Sequence, residues 1–118
     1  MTLDKLKPAE TKELDISEYF EGEKVVIKLK HYSNWQRNEI LSLMTSGQEY
    51  DEKTGKVVFK NTGFQTKLFF KELLYGVAEA PFEWTEKTIQ EIDEKNPDLL
   101  AYIHSEVQKY NVPFGQMK

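Results

Sequence analysis

One long apolar segment, residues 61–84, constrains the fold of this chain more than any other stretch. Its sequence is NTGFQTKLFFKELLYGVAEAPFEW. Placed at about 100° per residue, its apolar side chains fall on nearly every side of a helix. Such a helix is normally buried, so we expect a central core helix; the alternative is a helix that offers one face to a partner. Asn61 or Thr62 is suited to cap its start, and Ala80-Pro81 should end it, because proline disfavours a helical residue before it.

The composition indicates one soluble domain. At 118 residues the chain has the size of a single ordinary domain. Its formal net charge of -4 argues against a nucleic-acid partner, because that binding depends on basic residues that neutralise phosphates. The absence of cysteine excludes disulfides and thiolate metal sites. No signal-peptide run and no stretch of roughly 18 apolar residues, as in a membrane span, is present, so we expect a cytoplasmic protein without a membrane partner.

The two ends of the chain are expected to lie outside this domain. Residues 1–18 are charged, contain Pro8 and have only scattered apolar positions, which is typical of a flexible arm. An arm that orders against a neighbouring subunit is the alternative. Residues 112–118 contain a proline and a glycine and indicate a loose tail. The α+β domain then covers residues 19–111.

A strand, a helix and a hairpin are predicted before the central helix. Residues 23–31 alternate lysines with aliphatic residues, as in a half-buried strand. Ser33 and Gln36 have the spacing of a capping box, which predicts a helix over about 34–45. Turn-forming residues in the middle of the segment 48–60 predict a hairpin. We expect this hairpin to pair with the first strand.

Three helices are predicted in the rest of the chain. The central helix is expected at about 62–78, and Thr85 should cap a second helix near 86–94. Asn96-Pro97 should open a third near 97–110, because proline is suited to a first helical turn. The apolar stripe of this last helix consists of Leu99, Leu100, Ile103, Val107 and Tyr110. The predicted fold is therefore α+β and helix-dominated, with a small antiparallel sheet packed against four helices.

No residue pattern in the sequence predicts chemistry. Catalysis requires a nucleophile or an acid–base pair positioned by neighbours, and neither His31 nor His104 has such neighbours in the sequence. We expect structural or surface roles for both. The acidic residues before Gly55 lack the spacing and the closing glutamate of a calcium loop. We therefore expect a protein that is not an enzyme and has no catalytic residue, no cofactor and no metal.

Aromatic residues are concentrated in and after the central helix. They make up 13% of the chain, and such side chains dominate both cores and interfaces. The candidate partner-binding residues are Phe69 on the helix and Phe82 and Trp84 in the loop after it. Trp84 has an alternative role as a staple folded back onto the next helix. This apolar load predicts a homo-oligomer or a standing protein partner, because monomers rarely expose large apolar patches.

Four segments share their order and character with one known family. They are NWQRNEI at 34–40, YDEKTGKVVF at 50–59, KELLYGVAEAPFEW at 71–84 and the closing helix pair that ends in Tyr110-Asn111. Together they resemble the tail assembly chaperones of long-tailed bacteriophages and prophages. The resemblance implies a non-enzymatic protein that binds the tape-measure protein and helps recruit tail-tube subunits. Two alternatives stay open: another small phage structural or connector protein, and a host adaptor that binds a protein partner.

Overall fold

Helices supply most of the regular structure in the computed structural model, which describes residues 3–46, 48–51, 56–59 and 62–111. The helices are α1 (Asn34–Ser46), α2 (Thr62–Gly76), α3 (Glu86–Lys95) and α4 (Pro97–Tyr110). The strands are β1 (Thr11–Asp15), β2 (Val26–Lys30), β3 (Gln48–Asp51), β4 (Lys56–Phe59) and β5 (Val77–Glu79). The predicted α+β, helix-dominated class is confirmed. None of the described helices has the length and hydropathy needed to cross a membrane.

Strand β2 lies at the centre of a three-stranded antiparallel sheet with the order β1-β2-β5. Its alternation places Ile27 and Leu29 in the core, both with no exposed surface, while the lysines between them lie on the other face. Period-two alternation requires this arrangement when one face of a sheet is covered. The first predicted strand is therefore confirmed, with the core on its aliphatic face.

The expectation of a flexible arm over residues 1–18 is wrong for its second half. Thr11–Asp15 forms β1, which pairs along its whole length with β2. Leu14 is 5% exposed and Ile16 is fully buried. In the sequence, only these two apolar residues distinguish the edge strand from a charged tail. They stabilise the strand by packing into a core made by distant segments, which the local sequence does not show. The predicted tail at 112–118 lies outside the described residues.

The predicted hairpin is present, but its predicted partner is wrong. Strands β3 and β4 pair with each other in a separate two-stranded sheet. The two sides of β2 are taken instead by β1 and β5. Each strand has only two hydrogen-bonding edges, so no position beside β2 is left for the hairpin. The cap predicted at Asn61 falls on a residue outside the described part of the chain.

Helix α2 ends at Gly76 and not at the predicted Ala80-Pro81. The next residues form β5, in which Val77 pairs with Leu29 and Glu79 pairs with Lys28. The Lys28 and Glu79 side chains also form an ion pair with an N–O distance of 3.4 Å. Val77 follows Leu73 by four residues, which continues the apolar period of the helix, so periodicity could not show the change to a strand.

The caps predicted at Ser33 and Thr85 are confirmed. The Ser33 N–H donates to the Gln36 side chain at 3.0 Å, and the Gln36 N–H donates to the Ser33 hydroxyl at 3.1 Å, so the capping box is complete. Thr85 caps α3 by accepting a hydrogen bond from the Thr88 N–H at 3.3 Å. Because each cap satisfies an N–H that the first turn leaves unpaired, these residues fix where the helices begin.

The core lies between the three-stranded sheet and helices α2, α3 and α4. The stripe predicted on α4 is confirmed, with four of its members buried and Tyr110 half-buried. The α2 helix contributes the fully buried Leu73, while most of its other apolar residues are half-buried. The fully buried side chains are Ile16, Ile27, Leu29, Ile40, Leu73, Ile89, Leu100, Ile103 and Val107.

Asn111 joins the end of α4 to the end of β2. Its side-chain oxygen accepts a hydrogen bond from the Tyr32 N–H at 3.0 Å. Its amide donates to the Val107 carbonyl at 3.0 Å and to the Lys30 carbonyl at 3.4 Å. Asn111 is 5% exposed, and a buried amide is stable only when its donors and acceptor are satisfied. This residue therefore holds the ends of β2 and α4 at the same end of the molecule.

Candidate functional site

A groove of about 420 Å³ lies between the 3-10 turn Ser17–Tyr19, the loop 80–84, α3 and the start of α4. Its walls are mainly aromatic and aliphatic, and Glu91 and Lys95 lie on its exposed rim. We call this surface the aromatic groove. Its volume falls within the range of about 300 to 1,000 Å³ that binding sites commonly have. Its lining residues are Tyr19, Phe20, Phe82, Thr88, Glu91, Ile92, Lys95, Asn96 and Leu99.

Ser17 fixes one wall of the groove. Its hydroxyl accepts a hydrogen bond from the Val25 N–H at 2.8 Å and donates to the Val25 carbonyl at 3.3 Å. The Asp15 carboxylate accepts from the Ser17 N–H at 2.9 Å, and hydrogen bonding from Ser17 lowers the pKa of Asp15. These bonds tie the turn to the chain just before β2. Tyr19 and Phe20, which follow, are therefore held beside α3 and α4.

Aromatic rings pack against one another along this wall. Phe82 contacts both Phe20 and Trp84, with ring centroids 6.4 Å and 6.2 Å apart. Tyr19 packs on Tyr102 with centroids 6.0 Å apart. These separations lie within the roughly 4.5 to 7 Å of favourable aromatic pairs. The wall is thus a pre-formed aromatic surface.

The opposite wall is formed where α3 meets α4. The Asn96 N–H donates to the Ile92 carbonyl at 2.7 Å, which closes α3, and the Asn96 side chain accepts from the Leu99 N–H at 3.2 Å, which opens α4. One residue thus ends one helix and caps the next, so no linker separates them. Ile92 and Leu99 are thereby held near each other on the two helices.

The structure brings together two of the three predicted partner-binding residues. Phe82 lines the aromatic groove, and Trp84 lies behind it. Phe69 lies elsewhere: its ring packs against Phe70 and His104, with centroids 6.0 Å and 4.5 Å apart, and neither of these lines the groove. Phe69 therefore does not line the aromatic groove, and the partner-binding roles of the three residues stay predictions.

Trp84 is held to the core by a hydrogen bond. Its indole N–H donates to the Leu73 carbonyl at 3.0 Å. Leu73 lies in the last turn of α2, where carbonyls lack a partner within the helix, and the indole supplies one. The half-buried ring also packs on the core. This geometry favours the structural role of Trp84 over a role as an exposed anchor.

We expect Trp84→Phe to lower the free energy of unfolding by about 0.5 to 1.5 kcal/mol, because it removes one hydrogen bond and leaves an aromatic ring. Trp35 is 87% exposed, so the matched control Trp35→Phe should change stability by less than about 0.5 kcal/mol. Urea unfolding of both variants measures the difference. Equal stability of the two would show that the indole bond contributes nothing.

A histidine–carboxylate pair connects α2 and α4. The Nε2 of His104 lies 2.7 Å from Oε2 of Glu72, and the Gln108 amide donates to the same oxygen at 3.4 Å. The charge of Glu72 also acts on Tyr32. Burial raises the pKa of the Tyr32 hydroxyl, and the negative charge of Glu72 raises it further. The pair is 32 positions apart in sequence, so sequence reasoning missed it. The one available signal was a glutamate within the apolar run FFKELLY, since a carboxylate on a buried face needs a partner.

The chemistry available to this pair is limited by its neighbours. Phe69 packs on the His104 ring, so the pair lies against apolar surface. Among the described residues, no group of three or more His, Cys, Asp or Glu side chains could hold a metal ion. The expectations of no catalytic residue, no cofactor and no metal stay predictions. The aromatic groove is the feature with the geometry of a binding site.

Comparison with known proteins identifies no relative: no family model, no curated protein and no solved structure matches the chain.

Proposed function

We propose that the protein is a non-enzymatic assembly chaperone that holds an apolar segment of a protein partner in the aromatic groove. The observation that carries the proposal is the groove itself, in which Tyr19, Phe20 and Phe82 face Ile92 and Leu99. Aromatic side chains in pre-formed pockets are the commonest anchors of protein interfaces. A groove between helices also suits the apolar face of a helical segment.

The partner we propose is the tape-measure protein of a long-tailed phage or prophage, in the cytoplasm of the host cell. The resemblance of the segments at 34–40, 50–59 and 71–84 to tail assembly chaperones supports this choice, and so does the fit of an apolar groove to a long helical protein. We propose that the chaperone also helps to recruit tail-tube subunits. It would do so while it is bound to the tape-measure protein, around which those subunits assemble.

Capture of a tape-measure protein from a long-tailed phage or prophage tests the proposal. We expect the full-length tagged chain to co-purify with it after co-expression. Ile92→Lys should reduce the affinity at least about tenfold, which corresponds to about 1.4 kcal/mol, because it places a charge in the apolar groove. Ile92 is half-buried, so the lysine can extend to solvent and the fold is retained.

The matched control is Leu41→Lys, which changes an aliphatic residue that is 42% exposed on α1 and does not line the groove. Capture should be unchanged in this variant. Failure of the unaltered chain to capture the tape-measure protein would overturn the proposed partner. Equal losses in the two variants would overturn the role of the groove.

A further inference from the structure

Two exposed leucines lie side by side before β1. Leu3 is 85% exposed and Leu6 is 72% exposed. They lie at the two ends of the 3-10 turn that begins at Leu3, which the Leu6 N–H closes by donating to the Leu3 carbonyl at 3.0 Å. Residues three apart in such a turn are eclipsed. The two side chains therefore form one small apolar surface that its own chain leaves uncovered.

We propose that this surface binds in the aromatic groove of a second copy of the chain. The groove is apolar and its volume of about 420 Å³ accommodates two leucine side chains. Removing both leucines from water favours the contact, because association is driven mainly by the burial of apolar area. The inference does not rest on the tape-measure protein as partner, although the leucines and that partner would compete for one groove.

The leucines do not fill the groove of their own chain, since neither lines it and both are exposed. Tyr110 donates its hydroxyl hydrogen to the Glu10 carbonyl at 3.2 Å, so the segment leaves the body at the C-terminal end of α4. The groove lies at the other end of α4, beside Asn96, roughly 20 Å away at about 1.5 Å per helical residue. The four residues from Glu10 back to Leu6 span at most about 14 Å. We therefore assign the occupant to a second molecule.

Charges beside the leucines suit the rim of the groove. The turn carries Asp4 and Lys5 between the two leucines. The rim carries Glu91 and Lys95, whose side chains are 3.5 Å apart. Glu91 and Lys95 form an exposed ion pair with each other, and in the proposed contact Asp4 would lie near Lys95 and Lys5 near Glu91. Exposed ion pairs contribute little energy, so their effect is to select the orientation of the bound segment.

The proposed contact is heterologous, because it joins two different surfaces. Each molecule contributes its N-terminal leucines to one neighbour and binds the leucines of another neighbour in its groove. A contact of this kind generates a ring if the rotation closes and an open chain if it does not. The leucines and the groove lie at opposite ends of α4. Successive molecules would therefore associate head to tail, each in the same orientation as the one before it.

Cross-linking between single-cysteine variants tests the proposal, since the natural chain has no cysteine. A size-tagged Lys5→Cys chain is mixed with an untagged Lys95→Cys chain and oxidised, without any other protein. We expect mixed disulfide dimers on a non-reducing gel. The control replaces Lys95→Cys with Lys109→Cys; the two lysines are 76% and 70% exposed, and Lys109 lies at the far end of α4. Mixed dimers should form about tenfold more slowly in the control, because that contact has no apolar groove to hold the segment.

A second variant tests the leucines themselves. Leu3→Asp with Leu6→Asp, added to the Lys5→Cys chain, should reduce cross-linking to the rate of the Lys109→Cys control. Both residues are exposed, so thermal unfolding should be unchanged. Equal rates for the two lysine positions, or aspartates without effect, would overturn the proposal. The tape-measure protein is absent from this experiment. Its result therefore tests the contact between copies of the chain and does not affect the test of tape-measure capture.

Discussion

Replacing Leu73 by alanine should lower the free energy of unfolding by about 2 to 5 kcal/mol, as for other fully buried leucines. The Leu73 side chain has no exposed surface, and its helix packs against α1, α3 and α4. Removing it leaves a cavity that the surrounding helices and sheet can close only in part. Urea unfolding followed by circular dichroism measures the loss.

The neighbouring Leu74→Ala is the matched control for Leu73→Ala. Leu74 is only half-buried, so less transfer energy is lost and solvent can enter the space. We expect its effect to be less than half that of Leu73→Ala. A loss below about 1 kcal/mol for Leu73→Ala would show that α2 buries a different face.

Gly76→Ala should destabilise the protein by about 2 to 3 kcal/mol, as overpacking of a close contact does. A Cβ at this position would approach one methyl group of Val107 more closely than real Cβ atoms do, and would lie in tight contact with the other. Val107 is fully buried and β-branched on a helix, so its side chain has little freedom to turn away. The direction of this change in stability is informative, because replacing glycine by alanine within a helix ordinarily stabilises a protein by about 0.5 to 1 kcal/mol.

The double variant Gly76→Ala with Val107→Ala separates this contact from other effects. Val107→Ala alone should destabilise by leaving a cavity, but when it is combined with Gly76→Ala the same change makes room for the new methyl group. The double variant should therefore be more stable than the sum of the single losses predicts, by at least about 1 kcal/mol. Additive losses would show that Gly76 is not at a close approach of α2 and α4.

The elements that were predicted correctly carry their signals in the local sequence. Helix α1 begins with a capping box at Ser33, and α3 and α4 begin with side chains that cap their own first turns. Strand β2 alternates half-buried and buried residues over five positions. These signals depend on hydrogen bonds and periods within a few residues. They can therefore be recognised before any tertiary contact is known.

Strands β1 and β5 were missed because their signals come from tertiary pairing. Strand β5 has three residues, and only Val77 is buried. Strand β1 has one buried residue within its bounds, Leu14. Strands this short adopt their conformation because β2 offers hydrogen bonds on both sides, and such context overrides local preference.

The aromatic groove was predicted only in part for a related reason. Phe82 was selected from its place in a loop, but Tyr19 and Phe20 lie more than sixty positions before it and were assigned no role. They reach the groove because the Ser17 hydroxyl ties their turn to Val25. Phe69 lies on α2 and packs against His104, so it is not among the residues that line the groove.

The strand order β1-β2-β5 also determines how the chain must fold. Strand β1 reaches β2 after a short connection, whereas β5 pairs with β2 only after α1, the hairpin and α2 have been passed, about fifty residues later. Closing the longer loop costs roughly 1.4 kcal/mol more in chain entropy than closing one of about ten residues. Isolated helices form within about a microsecond, while long-range strand pairing is slow. The arrival of β5, and not the formation of the helices, should therefore limit the rate of folding.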